Sequence, residues 1–360
     1  MLAAWMHDLS PFLVRFSDSI GVRWYGLSYA IGFLIAWLIL RFAARRNMTP
    51  IPEYRLADML LILVFSVIVG GRVGYAVVYD PALITEFSSS PPFWGMFAIT
   101  KGGMAYHGAV VGVMIGGWIV SRGFKERGKR MYATPWRHVM DLCAFACTIG
   151  LGLGRVANFI NGELLGKIVA APGEVAPWWS VKFPQELLDG HAPELTPEQQ
   201  VKLDELIKSV GPIATRDERV DSIARMIEAV QHSGTQTATR LAKDLPALLS
   251  ARHPSQLYQA FFEGVVLTAI VWFVWRKARK PGVVGAWFLI GYGVLRVVAE
   301  FFRLPDAQFG NSGRIGAMGI ELSRGQWLSV AMVVAGLVAL VVVSRRDEPR
   351  FAGWMKPAQQ

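Results

Sequence analysis

The chain has 360 residues, of which 53% are hydrophobic and 18% charged. The apolar residues gather in runs longer than a water-soluble core needs, which excludes disorder and points to an integral membrane protein. Lysine and arginine number 37 against 27 aspartate and glutamate, a net charge of +10, and the placement of that excess decides between nucleic acid and lipid as its partner. Cys143 and Cys147 stand four residues apart in an apolar stretch. That spacing gives neither a disulfide framework nor a zinc site and reads as packing.

The first twenty residues lack a basic leader and an unbroken apolar run, because Asp8, Pro11, Arg15 and Asp18 interrupt them, so they do not read as a cleavable signal peptide. Trp5, Phe12, Leu13 and Phe16 predict an interfacial lead-in helix instead. Stretches of about 20 mostly apolar residues then predict spans over 19–40, 57–79, 103–121, 138–160, 256–275, 283–302 and 325–344. Small residues at four-residue spacing, Gly70 and Gly74, Gly108 with Gly112 and Gly116, and Gly150 with Gly154, predict close helix packing. No internal repeat stands out, and the only low-complexity tract is Ser88 to Pro92.

The connecting segments alternate in basic content. Arg41, Arg45, Arg46 and Arg55 form one cluster, Arg122, Lys125, Arg127, Lys129, Arg130 and Arg137 the next, and Arg276, Lys277, Arg279 and Lys280 the third. Arg345, Arg346, Arg350 and Lys356 follow in the tail. The short segments of the opposite side carry only Arg15, Lys101, Arg303, Arg314 and Arg324. The positive-inside rule therefore puts the N-terminus outside and the C-terminus in the cytoplasm, and the basic clusters read as topology signals, not as nucleic-acid contacts. The fold expected is an all-α polytopic membrane protein. It comprises spans one to four with the lead-in over 1–160, an external segment with a helical insertion over 161–255, spans five to seven over 256–344, and a cytoplasmic tail over 345–360. Within the insertion, Thr196 with Pro197 and Gln199 predicts a capping box. The stripes Leu203, Leu206, Ile207 and Val210, then Val220, Ile223, Ile227 and Val230, then Leu241, Leu245 and Leu248 predict three soluble helices.

Charged groups inside spans are expensive and mark function by default. Arg23 and Tyr25 begin span one, and Tyr106 and His107 span three. Arg72 lies in span two, Arg155 and Asn158 in span four, and Arg296 and Glu300 in span six, with Arg303 just beyond. At about 1.5 Å per residue, nearly all fall within roughly 5 to 10 Å of the outer boundary. Arg296, Glu300 and Arg303 share a helix face by their spacing, as do Arg155 and Asn158. Guanidinium forks at headgroup level match the oxygens of an anionic phosphate. The carboxylates in reach are few, chiefly Glu163 and Glu300, which argues against a magnesium-dependent phosphotransferase, and no metal or cofactor is expected. HExxH and GxSxG patterns are absent from the sequence. His107 suits proton transfer near neutral pH or a structural role, and Tyr25 a hydrogen bond or an interfacial anchor. These residues leave three readings open: an acid-base enzyme whose nucleophile comes from a second substrate, a secondary transporter of an anionic solute, and a lipid-binding scaffold. Transport is the weaker because its usual midplane site between repeats with broken helices has no counterpart here.

The run Gly154-Arg155-Val156-Ala157-Asn158-Phe159-Ile160-Asn161-Gly162-Glu163-Leu164-Leu165-Gly166 resembles the long G-R-x-[GA]-N-F-x-N-x-E-x-x-G signature of the bacterial prolipoprotein diacylglyceryl transferases. Further matches are Arg23 to Leu27, Gly70 to Tyr75, Gly102 to Gly108, Arg252 to Tyr258, and Arg296 through Arg303 to Pro305-Asp306-Ala307-Gln308. The stretch 170–250 is longer than is usual for the family. The resemblance implies a seven-span enzyme of the bacterial inner membrane, its N-terminus and insertion periplasmic. Such an enzyme passes the diacylglyceryl group of phosphatidylglycerol to the lipobox cysteine of a prolipoprotein signal peptide, releasing glycerol 1-phosphate. It further implies catalytic roles for Arg155, Arg296, His107 and Tyr25, and substrate binding by Arg155, Asn158, Glu163, Gly166, Arg72, Glu300 and Arg303. Thiolate attack would leave charge on phosphate for Arg155 and Arg296 to stabilise, with His107 taking the thiol proton directly or through Tyr25 or water.

Overall fold

A computed structural model describes residues 4–16, 21–98, 102–190, 192–231, 235–304, 314–317 and 320–355. Asp18, Lys101, Lys356 and the matched run Pro305 to Gln308 lie outside the described residues, as do the side chains of Arg314 and Arg324. Helices dominate: α1 (Trp24–Arg45), α2 (Leu56–Val78), α3 (Tyr106–Ser121), α4 (Trp136–Asn161), α5 (Pro197–Lys208), α6 (Arg216–Gln231), α7 (Gln236–Asp244), α8 (Ser255–Val274), α9 (Val283–Glu300) and α10 (Arg324–Ser344). Six of them, α1, α2, α4, α8, α9 and α10, are long and apolar enough to cross a membrane, and α3 is a shorter apolar helix of 16 residues. Their outward faces are apolar, with Phe65 69% and Val77 60% exposed, while Arg252 and Glu263 are completely buried. That inversion of the water-soluble pattern fits a polytopic membrane protein.

Two expectations for the N-terminal region need correction. Span one starts at Trp24, so Arg23 precedes the helix and does not sit in its first turns. In place of a lead-in helix, Phe12–Arg15 (β2) pairs antiparallel with Gly21–Arg23 (β3), and the Arg23 guanidinium stacks 4.7 Å from the Phe12 ring centroid. Phe12, Leu13 and Val14 suit a strand as well as an amphipathic helix, and the tertiary pairing decides. Short strands elsewhere also depart from an all-α chain.

The chain divides into two compact units. One comprises Met1–Phe33, Thr148–Thr268 and Ile290–Val334. It holds a four-stranded sheet of Trp5–Met6 (β1), Ile168–Ala170 (β6), Val181–Lys182 (β7) and Ala251–Arg252 (β8), in the order β1-β7-β8-β6 with β1 parallel to β7. Two strands bracket the insertion, whose three helices bury Leu203, Leu206, Ile207, Met226, Leu241 and Leu245 together. The capping box at Thr196 and Gln199 forms as its sequence predicts. A fully buried ion pair, Arg252 Nε to Glu186 Oε2 at 2.7 Å, pins the root of the insertion. Glu186 also accepts the Ser250 backbone N–H at 2.8 Å.

The other unit comprises Leu34–Cys147, Ala269–Leu289 and Ala335–Gln360. In it α2 and α3 pack backbone to backbone: a Cβ on Gly108 would lie 2.2 Å from the Gly70 carbonyl oxygen, so only glycine permits that approach. Phe124–Glu126 (β4) and Lys129–Met131 (β5) form a hairpin with exposed Lys125, Arg127, Lys129 and Arg130. The Asp141 carboxylate accepts the N–H groups of Gly282 and Gly285, each at 2.6 Å, and caps the start of α9. The tail folds back, Phe351 pairing with Arg279 and the Trp354 indole N–H donating to the Trp272 carbonyl at 2.7 Å.

His7 follows β1 and is completely buried, its Nε2 2.8 Å from the Phe159 carbonyl and its ring packed on Phe159 and Phe183. Desolvation lowers its pKa to about 4, against the partial restoring effect of that carbonyl. The folded chain therefore keeps His7 neutral while the unfolded chain protonates near 6.5. The stability it supports is complete above about pH 6.5 and is lost as pH falls towards 4, by about 3 kcal/mol if His7 acts alone. His7→Asn is expected to flatten thermal stability across pH 4 to 6.5, as measured by unfolding in detergent; an unchanged slope would show that other groups set it.

Candidate active site

The first unit gathers residues distant in sequence around one carboxylate. Between Ala260 and Val266, α8 widens into π-helical turns, and within them Glu263 is fully buried. Its Oε2 accepts from Arg155 Nε at 2.8 Å and its Oε1 from Arg155 Nη2 at 3.4 Å, and Oε1 lies 3.9 Å from Arg296 Nη1. Arg296 Nη2 reaches Glu300 Oε2 at 3.2 Å, and Arg303 Nη1 lies 3.9 Å from the same oxygen. The Tyr292 hydroxyl is in hydrogen-bonding contact with the Arg155 guanidinium. Among the described residues Arg296 Nη1 has no hydrogen-bond partner. Close helix approach makes this possible, since a Cβ on Gly152 would lie 2.7 Å from Gly264 Cα. The expected packing role of Gly154 is not seen: a Cβ there would meet nothing within 4 Å.

Beside Arg155 on α4 is a second group. Asn158 Nδ2 donates to the Tyr25 hydroxyl and, at 3.2 Å, to Glu163 Oε2, and the Tyr25 hydroxyl donates to that oxygen at 3.4 Å. The Glu163 to Gly166 loop is held from below by the start of α8: Gln256 Nε2 donates to the Glu163 carbonyl at 2.5 Å and Ser255 Oγ to the Leu164 carbonyl at 3.1 Å. Arg252 Nη1 donates to the Gly166 carbonyl at 3.1 Å. Gly166 pairs with Arg303 through the backbone, and a Cβ there would lie 2.1 Å from the His253 carbonyl oxygen, which makes glycine obligatory. His253 stacks on Trp179 with ring centroids 5.1 Å apart, and burial followed by the nearby Lys167 charge lowers its pKa.

Of the residues expected at the site, Tyr25, Arg155, Asn158, Glu163, Gly166, Arg296, Glu300 and Arg303 belong to this unit, whereas Arg72 and His107 belong to the other. His107 is exposed in the first turn of α3, with its ring edge-on to Tyr106 at 6.0 Å. Arg72 is buried, and its guanidinium donates only to backbone carbonyls: Nε to Met96 at 3.1 Å, Nη1 to Gly102 and Gly103 at 2.7 and 2.8 Å, Nη2 to Gly95 and Ala98 at 2.6 and 3.4 Å. An arginine has five N–H donors, and these five bonds occupy them all. The geometry thus gives Arg72 a loop-holding contact set.

The profile described as prolipoprotein diacylglyceryl transferase matches residues 11–342. The chain belongs to that family. It is 36% identical to the phosphatidylglycerol–prolipoprotein diacylglyceryl transferase of Bdellovibrio bacteriovorus, over 98% of this chain and 97% of the relative. Proteins of the same name from Geobacter sulfurreducens and Ruegeria pomeroyi are 34% and 33% identical, over 90% and 92% of this chain and 92% and 94% of their own lengths. The Bdellovibrio match takes in the insertion as well.

Sequence reasoning missed Glu263, although a glutamate eight residues into an apolar span is the signal that flagged the arginines. Removing one member of a buried ion pair costs about 3 kcal/mol or more. Glu263→Gln is therefore expected to lower stability by about that amount in thermal unfolding, with Glu263→Asp recovering part of it; a wild-type midpoint in Glu263→Gln would remove the carboxylate from the centre of the cluster. Lysine has only three donors, so Arg72→Lys is expected to speed proteolysis within 95–103 by several-fold, and an unchanged cleavage rate would count against the loop-holding contacts.

Proposed function

We propose that this protein transfers the diacylglyceryl group of phosphatidylglycerol to the lipobox cysteine thiol of prolipoproteins, releasing glycerol 1-phosphate, the first step of lipoprotein maturation. The observation that carries this reading is that Arg155 and Arg296, family signature residues far apart in sequence, meet at the buried Glu263, with Arg296 and Arg303 both reaching Glu300. Three guanidiniums, Arg155, Arg296 and Arg303, face two buried carboxylates, Glu263 and Glu300. Guanidiniums gathered in a low-dielectric interior suit the negative charge of a phosphodiester. Secondary transport of an anionic solute is not favoured.

In the reaction, the cysteine sulfur attacks the diacylglycerol carbon that bears the phosphate. The C–O bond breaks with its electron pair going to the departing oxygen, and a thioether forms as glycerol phosphate leaves. Arg296 offers the unpaired Nη1 donor to the phosphate, and Arg155 is held by Glu263 to stabilise the charge that develops. The family resemblance assigns the thiol proton to His107, directly or through Tyr25 or water; Tyr25, oriented by Asn158 and Glu163, positions the headgroup with Glu300 and Arg303. Arg72 holds the 95–103 loop that leads into α3, and Gly166 keeps the signature loop against α8. The membrane is the bacterial inner membrane, spanned seven times, with the N-terminus and insertion in the periplasm and the tail in the cytoplasm; the basic clusters support that orientation.

Incubating the purified protein with phosphatidylglycerol and a lipobox peptide is expected to release glycerol phosphate and add a diacylglyceryl mass to the peptide, but not to its Cys→Ser control. Arg155→Ala is expected to weaken lipid binding and abolish transfer, while His107→Gln depresses turnover by about a hundredfold or more with lipid binding retained. Lipid bound by folded protein with neither product formed would sink the transferase reading.

A further inference from the structure

Beyond the residues already assigned, unpaired polar atoms collect on α8. Gln259 is fully buried, and among the described residues neither its Nε2 nor its Oε1 meets a hydrogen-bonding group. Its neighbour Gln256 spends Nε2 on the Glu163 carbonyl and leaves Oε1 unpaired. A buried amide without partners destabilises the fold relative to an apolar side chain of similar size, so packing gives no account of Gln259.

Its position in the helix does. Gln256, three residues earlier, touches the Glu163 loop, and Glu263, four residues later, holds Arg155 and Arg296. Those spacings put the three side chains on one strip of α8, with Gln259 between the signature loop and the guanidinium pair. A primary amide both donates and accepts, as a hydroxyl does. A phosphate on Arg296 Nη1 carries its alcohol substituent only a few bonds away, and glycerol supplies two free hydroxyls there.

We propose that Gln259 binds a free hydroxyl of the glycerol headgroup and so selects phosphatidylglycerol over anionic lipids whose headgroups lack hydroxyls. This rests on the proposed transferase reading and assigns the specificity of the same site. Gln259 is then a substrate-binding residue whose unpaired state in the lipid-free protein is the cost of that selectivity. A buried water offers the same hydrogen-bonding chemistry, and the experiment separates the two.

The full-length protein in detergent is assayed for transfer to a lipobox peptide from phosphatidylglycerol and from phosphatidylpropanol, which has the same charge without headgroup hydroxyls. The wild type is expected to favour phosphatidylglycerol by at least about tenfold in kcat/KM. Gln259→Leu is expected to raise KM for phosphatidylglycerol about tenfold with kcat within about twofold, to abolish the preference, and to leave the lipid-free thermal midpoint unchanged or higher. Gln259→Met gives the same readout should the leucine variant fold poorly. A preference retained in both variants overturns the proposal. So does a lowered midpoint with unchanged KM, which marks a buried water only. A wild type that transfers from neither lipid brings down the transferase reading itself, a result distinguishable from the loss of selectivity alone.

Discussion

Everything at the candidate site depends on one carboxylate taken entirely out of solvent. Glu263 is the counter-ion that lets Arg155 and Arg296 sit together in a low-dielectric interior. Two guanidiniums at that separation repel one another, and each alone carries a large desolvation penalty. The positions of the neighbours follow from that requirement. Gly152 and Gly264 bring α4 and α8 within reach, the π turns present Glu263, and Glu300 shares the load on α9. A cluster assembled this way is rigid before substrate arrives, which is the condition for electrostatic stabilisation of a developing phosphate charge.

The signature loop is held by a different device. Its carbonyls, from Glu163 to Gly166, accept hydrogen bonds from Gln256, Ser255 and Arg252, so the loop and the first turn of α8 behave as one piece. Arg252 in turn is paired to Glu186 beneath the insertion. The three helices α5 to α7 thus stand on the same buried ion pair that supports the loop.

How much of this was legible in the residues varies by the range of the interaction. Arg155 with Asn158, and Arg296 with Glu300 and Arg303, could be read together because helical periodicity puts each set on a face and because charges in apolar spans stand out. The capping box at Thr196 is equally local, and it formed as read. Glu263 carried the same intramembrane signal as the arginines and went unweighed, while the pairing of Gly152 with Gly264 and the saturation of Arg72 by loop carbonyls depend on which distant segments meet. The β2–β3 pair shows the same limit. Phe12, Leu13 and Val14 fit an amphipathic helix until Gly21 to Arg23 are seen to lie alongside them.

The π turns of α8 have a consequence for how this span tolerates change. Wide turns of this kind absorb an extra residue, so the regular helix on either side keeps nearly the same rotational phase. Upstream of Ala260, that phase aims Gln256 and Ser255 at the signature loop; downstream, the regular helix resumes at Leu267. Loss of a single residue between Ala260 and Val266 would therefore restore an ordinary helix with Gln256 still facing its loop but remove the turns that present Glu263, whereas a residue lost between Gln256 and Ala260 would swing Gln256 by about 100°. Span five is therefore sensitive to where its length changes, and next to Glu263 the close approach of Gly152 keeps Gly264 a glycine.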